Sequence, residues 1–233
     1  MGLFCHVLLA AALTPLAAMP SALAQDTNNA AVYTVSYIEV MPTATSQTPG
    51  LLKLLADASR KEAGVLRFEA LQRTVPSNHF ALLEVWKDQQ ALDAHTGAAH
   101  TKQFRDRLQP LLVAPVDDRL CIAMEVGAIE AARGARARYV ITHVDIGPPN
   151  PANRDNAIPV LKAFSATSRQ EAGNQRFDLL QQKMRTNHFE VVEVWRDQKS
   201  DNAHELAAHT KEFRVKLAPV IGALYDQRWY KAL

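Results

Sequence analysis

Cysteine is almost absent: the 233 residues hold two, Cys5 and Cys121, which excludes a disulfide scaffold. A surplus of one charge is missing too. The 26 Lys and Arg nearly balance 24 Asp and Glu, and a net charge of +2 does not hold a polyanion, so nucleic acid is not an expected partner. Beyond the first two dozen residues no apolar run approaches the ~20 residues that cross a bilayer as a helix. Glycine is scarce at 9, and no Gly-x-Gly-x-x-Gly, P-loop, Gly-x-Ser-x-Gly or Cys-x-x-Cys occurs, which removes the usual nucleotide, flavin and serine-hydrolase fingerprints. What is present is an ordinary globular composition. The 48% of hydrophobic residues suffice for one large core or two small ones and are too many for a disordered chain.

The segment Met1 to Ala24 contains no Asp, Glu, Lys or Arg. Leu8 to Ala18 is its apolar run, Pro20 follows, and Ala22-Leu23-Ala24 places small residues where a signal peptidase looks. Residues 1–24 are therefore expected to be a signal peptide cleaved before Gln25, although the usual basic start beside Met1 is missing. The expectation is a periplasmic or secreted protein with no stable membrane anchor after cleavage and with Cys121 as its single thiol.

An internal repeat is plain. Asn78-His79-Phe80 through Glu84-Val85-Trp86 recurs 109 residues later as Asn187-His188-Phe189 through Glu193-Val194-Trp195. At that offset residues 50–122 and 159–231 are identical at 33 of 73 positions, among them Ser59/Ser168, Gly64/Gly173, His95/His204, His100/His209 and Phe104/Phe213. The opening segments align at an offset of 106, Tyr33 with Tyr139, which leaves a three-residue insertion in a loop around residues 149–156. The chain thus comprises two tandem domains, residues 31–124 and 138–231. The Ala/Arg/Gly-rich stretch 125–137 between them reads as an exposed linker.

Each domain switches periodicity in the same order. An alternating strand (Val32–Val40; Tyr139–Ile146) is followed by a helix that starts near Pro49 with Leu51, Leu52, Leu54, Leu55 and Ala58 at helical spacing and Gly64 as its left-handed cap. Val160, Leu161, Phe164 and Gly173 are the counterparts. Strands at Leu66–Gln72 and Asn78–Trp86 follow, then one helix from an Asp88 N-cap to about Leu112, then a strand at Arg119–Val126. The order βαββαβ predicts an α+β, ferredoxin-like unit with both helices on one sheet face. Because Phe80, Leu82 and Trp86 alternate with Ala81, Leu83 and Val85, both sheet faces are apolar. The open face is expected to be covered by the other copy, giving an intrachain pseudodimer, a pseudo-dimeric α+β barrel that could pair further as a homodimer.

Both copies carry Glu-x-Trp, a His nine residues later, a second His five further on and a Phe four beyond that: Glu84, Trp86, His95, His100, Phe104 and Glu193, Trp195, His204, His209, Phe213. On one continuous helix His95 and His100 would lie about 140° apart, unlike the i, i+4 pair of a zinc helix, so no metal is expected. Histidines bordering a core are commonly satisfied by backbone, and duplication copies them whatever their use. Next to a Trp and a carboxylate they are also the natural residues for proton transfer near neutral pH. The Trp residues bury a large area and need an N–H acceptor. Glu84 and Glu193, on the same face, need partners, with Arg67, Arg176 or a His available. Asn78 and Asn187 begin a strand, where a turn role competes with a ligand role. Arg60 and Arg169 are assigned to a solvated helix face.

On these residues and the βαββαβ order, each copy resembles the antibiotic biosynthesis monooxygenase family, which includes small quinol monooxygenases. The resemblance implies a dimeric α+β barrel and, for several members, oxygenation of quinols or anthrones by dioxygen without metal, flavin or haem. It makes His95 and His204 the expected bases, with Asn78, Trp86, His100, Phe104 and Asn187, Trp195, His209, Phe213 shaping the pockets around a small aromatic substrate and Glu84 and Glu193 orienting them. Haem-degrading relatives supply an alternative, since Trp86 and His95 have the spacing of their Trp and axial His. Ser36 and Thr142 stand where those enzymes have Asn. A secreted small-ligand-binding or stress protein without turnover is the third expectation.

Overall fold

The computed structural model describes residues 31–129, 134, 136–148, 151–223 and 226–233, so the expected signal peptide lies outside the described residues. The first half runs β1 (Val32–Glu39), α1 (Thr48–Ser59), β2 (Val65–Arg73), β3 (His79–Trp86), α2 (Gln89–Gly97), α3 (Ala99–Leu108) and β4 (Asp117–Glu125). The second runs β5 (Arg138–Asp145), α4 (Pro151–Ser168), β6 (Asn174–Gln182), β7 (His188–Trp195), α5 (Gln198–Leu206), α6 (Ala208–Leu217) and β8 (Asp226–Ala232). Asp88 caps α2 as its spacing predicts, its Oδ1 accepting from the Ala91 N–H at 2.8 Å, and Asp197 does the same for α5 through Ser200.

All strand pairs are antiparallel, and the eight strands close into a barrel in the order β1-β3-β2-β8-β5-β7-β6-β4. Closure comes from exchange: β4 pairs with β1 of its own half and β6 of the other, and β8 pairs with β5 and β2. This is the expected pseudo-dimeric α+β barrel, with the two halves joined by ladder hydrogen bonds as well as by face packing. The alternation in β3 sorts its residues as the sequence implies. Ala81, Leu83 and Val85 fill the barrel with Tyr33, Ile141 and Val194, while Phe80, Leu82 and Trp86 face the helices with Leu52 and Leu55. Phe164, Phe177, Trp195 and Phe213 form the matching helix-facing core of the second half.

Five expectations are corrected. The helix expected from Asp88 to Leu112 is two helices, because Ala98 (φ −63°, ψ 146°) is extended; Ala207 repeats the break. The insertion expected as a loop is helical from Pro151, giving an α4 of 18 residues against 12 in α1. The expected linker is not merely exposed: Val126, Ile129 and Ala137 pack on the barrel core, and the Gly127 N–H donates to Asp178 Oδ1 at 3.0 Å. Gly64 and Gly173 are left-handed (φ +90° and +93°) but lie past the helix ends, where a Cβ on Gly64 would come within 2.8 Å of Ala91 Cβ. Arg60 is exposed as expected, but Arg169 is largely covered, and both tie helix to strand, donating to the carbonyls of Phe68 and Phe177 at 3.0 and 2.8 Å.

Candidate active site

The site is built outward from β3. Alternation puts Glu84 and Trp86 on the helix-facing side, and the fully buried Trp86 donates its Nε1–H to Glu84 Oε2 at 2.8 Å, which gives the indole the acceptor it needs. Helix α2 lays the His95 ring on Trp86, with centroids 4.6 Å apart and 27° between planes. The break at Ala98 then redirects the chain so that His100, near the start of α3, turns toward the same point. Both histidines meet Glu62, in the turn after α1: His95 Nδ1 is 2.6 Å and His100 Nε2 2.9 Å from Glu62 Oε1. The other ring nitrogen of His95 lies 4.0 Å from Glu84 Oε2. His95 therefore sits between two carboxyl groups. The second half repeats the array, with Glu171 2.5 Å from His204 and 3.0 Å from His209, and Glu193 3.7 Å from His204 Nε2.

Burial sets the protonation of these groups. Loss of solvent raises Glu84 to about 7 against the opposing pull of the Trp86 N–H, with Asp118 adding to the rise, and raises Glu193 to about 8. Burial also lowers His95 and His204, and it outweighs the hydrogen bonds to Glu62 and Glu171 that favour their charged forms. A carboxylate only accepts, so Glu62 holds the Nδ1–H tautomer of His95 and leaves the Nε2 lone pair on the side of Glu84.

That side opens on a cavity of about 260 Å³ lined by Ser36, Leu55, Leu82, Glu84, His95, Thr101, Phe104, Arg105, Leu108 and Asp118. Of the residues expected in the first pocket, Glu84, His95 and Phe104 line it. Trp86 lies behind His95 as its stacking partner, and His100, outside the lining, reaches the site only through Glu62. Asn78 and Asn187, expected in the pocket walls, do not converge there: their Nδ2 atoms donate to the carbonyls of Val40 and Ile146 at 2.9 and 3.1 Å, which ties down the strand ends. Neither Arg67 nor Arg176 partners Glu84 or Glu193. Both point into the barrel, where Arg176 meets Glu69 at 2.6 Å and Arg67 meets Asp178 at 3.3 Å. The residue missed in the sequence is Glu62, with its counterpart Glu171. Its only signal was identity between the copies at the position two before the shared glycine.

The break at Ala98 also removes the helical spacing on which the expectation of no metal rested. Glu62, His95 and His100 bring donor atoms within 4.8 Å of one another, as do Glu171, His204 and His209. This is a donor set that a divalent ion could use, although here the donors are hydrogen-bonded to each other.

Comparison with known proteins identifies the lineage. The model of a family described as "Antibiotic biosynthesis monooxygenase" matches residues 31–107 and again 140–216. Among curated proteins, the chain is 32% identical over 82 residues to "Putative monooxygenase YcnE" of Bacillus subtilis (strain 168), an alignment covering 35% of this chain and 86% of that protein. Among solved structures, a "putative monooxygenase" of Fusobacterium nucleatum superposes with a TM-score of 0.79 at 17% identity, covering 88% of this chain and 93% of its own. An "anthrone oxidase-like protein" superposes with a TM-score of 0.67 at 13% identity, covering 88% and 92%. At these identities the two structures establish the shared fold.

Proposed function

The chain belongs to the antibiotic biosynthesis monooxygenase family, twice over, and from that premise we propose that it is an exported, cofactor-independent monooxygenase of quinol- or anthrone-like aromatics. The observation that carries the proposal is His95, neutral, held by Glu62 through Nδ1, with its other ring nitrogen on the side of Glu84 in the lining of a cavity beside Phe104. Export rests on the uncharged first 24 residues alone.

The chemistry asks little of the protein. His95 Nε2 takes a proton from the substrate, and the imidazolium formed is stabilised by Glu62. The resulting quinolate or carbanion is electron-rich enough to pass one electron to dioxygen, and the radical pair combines to form a carbon–oxygen bond. The peroxide takes the proton back from His95. Loss of water then leaves a new carbonyl, so that one CH₂ and one O₂ become C=O and H₂O. Leu55, Leu82, Phe104 and Leu108 supply an apolar wall for the ring, and Glu84, with its raised affinity for a proton, can donate a hydrogen bond to a substrate oxygen.

The test is oxygen uptake by purified, chelator-treated protein with a panel of quinols and anthrones. Uptake above autoxidation that falls ~10²- to 10⁴-fold in His95→Ala is the expected result. Uptake unchanged in that variant, or none above background with any substrate, overturns the proposal.

A further inference from the structure

Pseudo-symmetry gives each residue of the first cavity a counterpart. Glu193, His204, Thr210, Phe213, Arg214 and Leu217 keep the identities of Glu84, His95, Thr101, Phe104, Arg105 and Leu108. Among the positions that differ, two bear on access to the Glu–His pair. Where the first half has Leu55, the second has Phe164, whose ring lies flat on Phe213 with centroids 3.8 Å apart and 2° between planes, and 5.5 Å from the His204 ring. The Phe164 ring thus fills the space that in the first half lies open between Leu55 and Phe104. Where the first half has Thr96, the second has Glu205, which accepts from Arg214 at 2.5 Å and from Gln227 at 2.6 Å. In the first half Arg105 reaches only the carbonyl of Thr96, at 3.3 Å, and Asp118, standing where Gln227 does, has no donor to offer.

Exposure follows. Glu193 is fully buried and Phe213 is 3% exposed, whereas Glu84 keeps 7% and Phe104 is half-buried. Among the described residues, one cavity of the second half, of about 310 Å³, opens between α4 and α6 and is lined by Phe164 and Phe213. His209 borders it and His204 and Glu193 do not.

We infer that only the first half accepts a ligand at its Glu–His pair, and that Phe164 and Glu205 are the two residues that close the second. The inference rests on the proposed function for the class of ligand alone. The second half keeps the Glu171–His204–His209 bonds, which tie α5 and α6 to the turn after α4, and the buried Glu193–Trp195 bond, whether or not a substrate binds.

Two probes separate this inference from the proposed chemistry. Titration with 1,4-naphthoquinone is expected to give one equivalent bound by the wild type, none by Leu55→Phe and two by Phe164→Leu/Glu205→Thr. Crystals of the same three proteins under xenon, which enters apolar cavities whatever the natural ligand, are expected to show a site beside Phe104 in the wild type, none there in Leu55→Phe, and an added site beside Phe213 in the double variant. Xenon or quinone beside both His95 and His204 in the wild type, xenon beside neither, or a double variant with no added site overturns the inference. The expected xenon pattern without naphthoquinone binding leaves the inference standing and removes the quinol reading instead.

Discussion

Replacing Glu62 by Gln isolates the role of the carboxylate that sequence inspection did not single out. The amide keeps the shape and an acceptor oxygen but loses the charge that now faces two histidine nitrogens at 2.6 and 2.9 Å. A hydrogen bond to a charged partner contributes about 1.5–3 kcal/mol and a neutral one about 0.5–1.5, so the imidazolium formed at His95 loses ~1–2 kcal/mol of stabilisation. That is a ~5- to 30-fold fall in kcat/KM, measured by oxygen uptake. The effect belongs in kcat, because Glu62 does not line the cavity. The Glu62 bond favours protonated His95, so the acid limb of the pH–rate profile moves to lower pH in the variant. Glu171→Gln makes the same change beside His204, and an unchanged kcat/KM is expected there. An unchanged kcat and acid limb in Glu62→Gln would remove His95 as the base. A rise in KM alone would place Glu62 in substrate binding.

Two further predictions concern stability. The folded-state value of about 7 for Glu84 lies above its ordinary 4.5, so the folded protein holds a proton that the unfolded chain has released between those values. The stability this provides is complete below about pH 4.5 and is lost as pH rises through 7. Urea unfolding of Glu84→Gln against the wild type should therefore favour the variant increasingly over that window, by up to ~3 kcal/mol; a pH-independent difference contradicts the assignment. Glu69→Leu leaves Arg176, which meets Glu69 at 2.6 Å inside the barrel, without its closest partner. A destabilisation of ~3–5 kcal/mol is expected in thermal or urea unfolding, with oxygen uptake by the remaining folded protein unaffected because the barrel interior faces away from His95; a loss below ~1 kcal/mol would show that Asp178 alone neutralises both arginines.

The fold was legible because its determinants are local and counted twice. The duplication set two units side by side, and the alternation of Phe80, Leu82 and Trp86 with Ala81, Leu83 and Val85 required two apolar layers, one supplied by helices and one by the other copy. The pairing of Glu84 with Trp86 on one face followed from the same period of two. None of this needed distances. The convergence of His95 and His100 on Glu62 was not legible, since it depends on three segments and on a break at Ala98 that Gly97 precedes only in the first copy, Leu206 standing before the same break in the second. Nor was the closing of the second pocket. Leu55 and Phe164 are equally good residues for a buried helix face, and only the position of the facing Phe104 or Phe213 ring decides whether the space between them is open or filled. Periodicity specifies which way a side chain points within its own element; what it meets there is set by the packing of elements distant in the chain.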